Sequence, residues 1–146
     1  MNECFINLSL KEAKKAFLAN EVPVGAIIVK DDVVVAKAHN LKTKTHDIFN
    51  HAEIIAIKKA TKKIGDWRLN ECDMYVTLEP CPMCASAIQQ SRIRRVFIGT
   101  SSNIKSNSQI IKKIFNNDEF YHQVEVIYLN DINCSEILTN FFTNKR

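Results

Sequence analysis

Residues 75–90 read Tyr75-Val76-Thr77-Leu78-Glu79-Pro80-Cys81-Pro82-Met83-Cys84-Ala85-Ser86-Ala87-Ile88-Gln89-Gln90. An apolar run ends at Leu78, and Pro82 opens the segment that follows. The run predicts a short strand over 74–78. The proline predicts a helix over 82–90, because a residue without an N–H fits a helix's first turn. Two cysteines three positions apart at such a start present both sulfurs to one side. The helix dipole and the free N–H groups there favour thiolates.

Working downstream, Arg95 to Ile98 reads as a strand, Ser108 to Phe115 as a helix, Val124 to Tyr128 as a strand and Ile132 to Phe142 as a closing helix. Upstream, residues 51–64 carry Ile57, Ala60 and Ile64 at helical spacing and stop at Gly65. Before them, Val24 to Lys30 and Val33 to Ala38 flank Asp31-Asp32, which predicts a hairpin. The chain opens with Ile6, Leu10, Ala13 and Phe17 on one helical stripe and Lys11, Lys14 and Lys15 on the other side. The order α-β-β-α-β-α-β-α-β-α predicts an α/β fold, a three-layer α/β/α sandwich around a mixed five-stranded sheet.

A length of 146 residues fits one domain, 1–146. Apolar residues at 46% and charged residues at 25% exclude a disordered tail, a collagen and a coiled coil. The longest apolar stretch, Val22 to Val29, is interrupted by Pro23 and Gly25 and falls far short of the roughly 20 residues that span a bilayer. No basic segment precedes an apolar core at the start, so no signal peptide is expected. These features predict a cytoplasmic protein with no membrane partner. The net charge of +4 permits an anionic partner without requiring one. Of the five cysteines, two are clustered; in a reducing compartment such a pair points to metal or catalysis. Cys4, Cys72 and Cys134 are expected to be plain small apolar residues.

A second cluster, His51-Ala52-Glu53, begins a helix. Alone, a His-x-Glu pattern is most often a surface pair, and a Cys-x-x-Cys pair fits a redox couple, half of a structural zinc site or coincidence. Together they are more specific. One helix, one turn and one strand separate them, a crossover that can bring two helix starts to one sheet edge. His51, Cys81 and Cys84 give three ligands. His39, His46, His122, Cys72 and Cys134 could supply a fourth, but none sits in a second metal-type pair. Three protein ligands describe a catalytic zinc site rather than a closed structural one. Glu53, about 200° round the helix from His51, would reach the pocket from the helix start as a carboxylate that moves protons.

The pattern His51-Ala52-Glu53 followed by Pro80-Cys81-Pro82-Met83-Cys84 resembles the signature of the cytidine deaminase-like zinc deaminases. Glu21-Val22-Pro23-Val24-Gly25, Asn40, His46-Asp47, the run from Tyr75 to Arg95, and Phe141-Phe142 with basic residues after them resemble the bacterial tRNA-specific adenosine deaminases. The likeness is close over residues 20–100 and loose to about 130. It implies hydrolytic deamination of the wobble adenosine to inosine in a tRNA anticodon. It implies one Zn²⁺ per chain on His51, Cys81 and Cys84, with Glu53 as the proton shuttle. Asn40 would hydrogen-bond the flipped-out base or its ribose, and Val24 and Phe142 would wall the nucleotide pocket. It also implies a homodimer with the anticodon loop across both subunits. Two departures stand out. The loop Thr100-Ser101-Ser102-Asn103-Ile104-Lys105-Ser106-Asn107 lacks the acid that relatives carry near Ser102, and lacks their glycines. Asp47-Ile48-Phe49-Asn50 replaces proline and small residues, which would reshape the pocket mouth.

Two other readings compete. One is a deaminase of a free base or nucleoside: guanine, cytosine or cytidine. The other is a zinc-stabilised RNA-binding module without catalysis, which would have no use for Glu53. Lys42, Lys44, Lys58, Lys59, Lys62, Lys63 and Arg92 to Arg95 could meet phosphates or form a solvated face.

Overall fold

Alternation along the strands sorts the side chains into two cores. Ile27, Val29, Tyr75 and Phe97 point to one face of the sheet, while Ala26, Ile28, Met74, Val76, Val96 and Ile98 point to the other. The structure is a computed structural model and describes residues 1–144. Its elements are α1 (Asn2–Leu18), β1 (Gly25–Lys30), β2 (Val33–His39), α2 (Lys42–Thr45), α3 (Ala52–Ile64), β3 (Cys72–Leu78), α4 (Pro82–Gln90), β4 (Arg95–Thr100), α5 (Asn107–Phe115), β5 (Glu125–Tyr128) and α6 (Ile132–Asn144). The five strands run in the order β2-β1-β3-β4-β5. β1 is antiparallel to β2 and to β3, whereas β3, β4 and β5 are parallel. The mixed five-stranded α/β sheet read from the sequence is therefore the one observed.

The first core is closed by Phe5, Ile6, Leu10 and Ala13 of α1 and Cys134 of α6. The second is closed by α3, α4 and α5 through Ala52, Ala56, Ala60, Ile88, Ile111 and Phe115. The three alanines of α3 are fully buried at a spacing of four, a seam of methyl groups that lets this helix lie close to the sheet. Gly25 serves the same purpose on the opposite face: a Cβ there would stand 2.0 Å from the Ser9 carbonyl oxygen of α1.

The Asp31-Asp32 turn has both residues at positive φ, 51° and 61°, the twist that a two-residue hairpin requires. The sequence reading did not foresee α2. Its four residues carry no buried face; two of its N–H groups, from Thr43 and Lys44, donate to the buried Glu21 carboxylate at 2.9 and 2.6 Å. Cys4 is exposed rather than packed, while Cys72 and Cys134 are core residues as expected. Among the described residues no helix is long and apolar enough to cross a membrane. The basic residues noted after Phe142, Lys145 and Arg146, lie outside the described residues.

Candidate active site

His51 and Cys81 are the N-caps of α3 and α4, both with extended backbone, and neither uses its side chain to cap its helix. Both side chains are thus free to turn toward each other where the two helix starts meet. Cys84 follows one turn into α4. Its sulfur lies 3.4 Å from His51 Nδ1, and the Cys81 sulfur lies 3.7 Å from the same nitrogen. The three ligand atoms fall within 4.8 Å of one another, and among the described residues they form the one such group. A tetrahedral zinc with Zn–S near 2.3 Å and Zn–N near 2.05 Å sets sulfur and nitrogen ~3.6 Å apart. The observed spacings bracket that value, so the residues fit the ion.

The fourth-ligand candidates are engaged elsewhere or remote from this cluster. His39 pairs with Glu12 at 3.3 Å, and His122 Nε2 meets the Ile93 carbonyl at 2.7 Å. Cys72 and Cys134 are in the core, and His46 is exposed at the end of α2. Three protein ligands leave one corner of a tetrahedron open.

A cavity of about 290 Å³ reaches His51, Cys81 and Glu53. Val24 and Asn40, expected at the substrate, line it too, together with Lys42 and Ser102. Asn40 is 7% exposed. Its amide donates to the Val22 carbonyl at 3.3 Å and its oxygen accepts from Lys42 N at 3.2 Å. One N–H of that amide is left for a ligand. Phe142 is half exposed and lies outside this cavity, in a neighbouring cleft of about 460 Å³ that shares Leu78 and Ser102 with it. Ser102 therefore stands at the junction of the two. A larger cleft, about 730 Å³ between α1 and α6, is lined by residues such as Lys11, Lys14 and Glu136, and among the described residues it holds no metal-type cluster.

Burial and the closeness of the three ligand atoms set the electrostatics of the site. Burial pushes the Glu53 carboxyl up to about 7, and it is only 4% exposed. The hydrogen bond from the Cys84 thiol pulls Cys81 down to about 4, with His51 helping. Cys84 is pushed far up by its bond to Cys81, by burial and by Glu53. The bond to Cys81 raises His51 against its own burial. A divalent cation inverts this order for Cys84, because a coordinated thiol loses its proton outright.

One buried carboxylate of the site was not singled out in the sequence. Glu79 is 3% exposed and lines the cavity. Burial would raise its pKa, but donors from Ser108, Tyr128 and Asn107 outweigh this and hold it below the usual carboxylate range. Those partners lie 28 to 49 residues away, so no local pattern could have marked it.

The MafB19-like deaminase family matches the chain over residues 2–146. The chain belongs to this deaminase family. It is similar to the tRNA-specific adenosine deaminase of Bacillus subtilis (strain 168), 38% identical over 146 residues, 99% of this chain and 91% of that protein. Among solved structures it resembles one from work on A-to-I editing by tRNA:A34 deaminases at the wobble position of transfer RNA. That deaminase is 36% identical with a TM-score of 0.85, over 93% of this chain and 99% of the other. A guanine deaminase from Bacillus subtilis is 31% identical with a TM-score of 0.67, over 98% and 92%. The deaminase resemblance read from the two motifs is thus borne out along nearly the whole chain.

Proposed function

We propose that this chain is a hydrolase that converts the wobble adenosine of a tRNA anticodon to inosine, releasing ammonia. The observation that carries the reading is the cluster of His51, Cys81 and Cys84 at the cavity that also holds Glu53, in a chain so similar to tRNA-specific adenosine deaminases. The residues 1–146 form one deaminase domain on this reading. His51, Cys81 and Cys84 would hold one Zn²⁺. When bound, the ion supplies the Lewis acidity that makes water a nucleophile near neutral pH.

The chain's own residues supply the rest. Glu53 takes a proton from the attacking water and gives it to purine N1, then takes the second proton from the oxygen now on C6 and passes it to the amino group, which leaves as ammonia. The burial of Glu53 suits a carboxyl that alternates between charged and neutral. Asn40 holds the base or its ribose with its spare N–H, and Val24 provides an apolar wall. Phe142, in the adjoining cleft, stands where the strand beside the target would pass. The target base leaves its stack to enter so small a cavity. A homodimer with the anticodon loop across both subunits, in the cytoplasm, completes the reading.

The experiment is to incubate the purified protein with tRNA, free bases and nucleosides and to identify the products. Inosine in tRNA is expected. Xanthine from guanine, or uracil or uridine from cytosine or cytidine, with tRNA untouched would replace the substrate reading by that of a free-base or nucleoside deaminase. No product at all, with zinc bound and tRNA retained, would leave the binding-module reading instead. Light scattering is expected to give twice the 16.7 kDa chain mass, and a clean monomer at high concentration would refute the dimer.

A further inference from the structure

Neither a ligand role nor a proton-transfer role falls to Glu79, yet it is among the most constrained side chains of the site. It lies in the turn from β3 to α4, two residues before Cys81. Oε1 accepts from Asn107 Nδ2 at 2.8 Å. Oε2 accepts from Ser108 Oγ at 2.6 Å and from the Tyr128 hydroxyl at 2.5 Å. The backbone N–H of Ser102 adds a fourth donor. The Asn107 amide donates in addition to the Pro80 carbonyl at 3.0 Å, and Glu79 N donates to the Thr100 carbonyl at 2.9 Å.

These contacts cross one boundary. On one side is the strap Glu79-Pro80-Cys81, which ends in a proposed zinc ligand. On the other are the loop after β4, the start of α5, and β5. Ser102, Ile104 and Asn107 of that second group line the cavity. A buried carboxylate is costly to desolvate, and a residue needed only to fill space would be apolar or neutral. Four converging donors are what a carboxylate accepts and an amide does not. One of them, the Ser102 N–H, cannot reverse its polarity to suit a replacement, and the Asn107 amide is held donor-side in by its second bond to the Pro80 carbonyl.

We propose that Glu79 is a positioning residue whose carboxylate fastens the Pro80–Cys81 strap to residues 102–108 and to Tyr128. The Cys81 sulfur and the outer wall of the cavity are thereby held in one geometry. This rests on the reading of His51, Cys81 and Cys84 as zinc ligands.

The test compares wild type with Glu79→Gln, Glu79→Ala and Ser108→Ala, each checked for folding by circular dichroism. Three quantities are read: zinc release to a chromogenic chelator, the visible absorption of the cobalt-loaded protein, and hydrogen exchange over residues 101–108. Glu79→Ala is expected to release zinc about 10- to 100-fold more readily, the usual range for partners that orient metal ligands. Its cobalt bands shift, and exchange in the loop quickens. Glu79→Gln falls between it and wild type, and Ser108→Ala moves the same way by less. Zinc retention and cobalt bands equal to wild type in Glu79→Gln and Ser108→Ala overturn the proposal, even where Glu79→Ala fails to fold. Wild-type protein that takes up no zinc overturns the ligand reading and this proposal with it.

Discussion

Glu53→Gln is the sharpest probe of the proposed chemistry, because it changes proton traffic and little else. The two side chains are nearly equal in volume, so no cavity opens. Within the site the Glu53 carboxylate is paired with its own backbone N–H and with the Cys84 thiol. Cys84 is the one partner from another element, and the cost to the fold should stay within about 1 kcal/mol, the scale of one hydrogen bond. The rate is another matter. An amide cannot take a proton from water or deliver one to N1. A positioned acid–base group is worth about 10²- to 10⁴-fold, which is ~2.7 to 5.4 kcal/mol of barrier at 1.36 kcal/mol per tenfold. The assay is single-turnover inosine formation in an anticodon stem-loop, with zinc content and melting temperature measured on the same preparation. Expected are normal zinc, a near-normal melting temperature and a rate at least 10²-fold lower. A wild-type rate refutes the shuttle. Loss of zinc along with activity refutes it too, since Glu53 would then belong to the metal cradle.

Three further outcomes are expected. Cys81→Ala should lose zinc and melt earlier, because ligand binding and folding are coupled; full zinc occupancy by mass spectrometry would count against the ligand set. Ser102→Asp restores an acid at the junction of the two cavities. It can accept a hydrogen bond from a ribose 2′-OH, so the RNA-to-DNA activity ratio on matched hairpins at one fixed salt should rise about fivefold, the worth of one such bond at ~1 kcal/mol; an unchanged ratio sinks the idea. Asp73 is buried and bridged by Arg94 at 3.1 and 3.2 Å and by Arg95 at 2.7 and 3.0 Å. Burial would raise its pKa, but the two guanidinium groups outweigh this and hold it below the ordinary value. Such a group stabilises the fold above its unfolded pKa, and the gain is lost as the pH falls through its lower folded value. Asp73→Ala should therefore cost about 1–3 kcal/mol at neutral pH, limited because both arginines reach solvent, and the difference from wild type should shrink below about pH 4. Denaturant unfolding at several pH values checks this, and a difference that does not change with pH would refute it.

The sequence carried the parts of this molecule that are written locally. The proline after Cys81, the glycine after Ile64 and the two aspartates between β1 and β2 each mark a boundary by their own backbone chemistry. The grouping of His51, Cys81 and Cys84 was legible because each half sits at a helix start, where spacing alone aligns the donors. What stayed hidden depends on long-range partners. The helix α2 has no apolar face and is held by Glu21 from twenty-odd residues away. Glu79 looks like any acid before a proline until Asn107, Ser108 and Tyr128 arrive around it. Phe142 could be placed near the substrate by resemblance, but only the packing of α6 puts it in a separate cleft.

The seam of Ala52, Ala56 and Ala60 has a consequence for which changes the chain can absorb. These methyl groups set the height of α3 above the sheet, and His51 rides on the end of that helix. Cys81 and Cys84 ride on another. A valine at position 56 would lift one platform and leave the other where it is, so three ligand atoms now within 4.8 Å would part without any of them having been touched. Lys58, Lys62 and Lys63 face solvent on the same helix and are free of this geometry. Drift can therefore recolour the outside of α3 at little cost, while two added carbons beneath it act on the three ligand atoms as a lever does on its load. Ala56→Val against Lys62→Val, compared by zinc retention, separates the two.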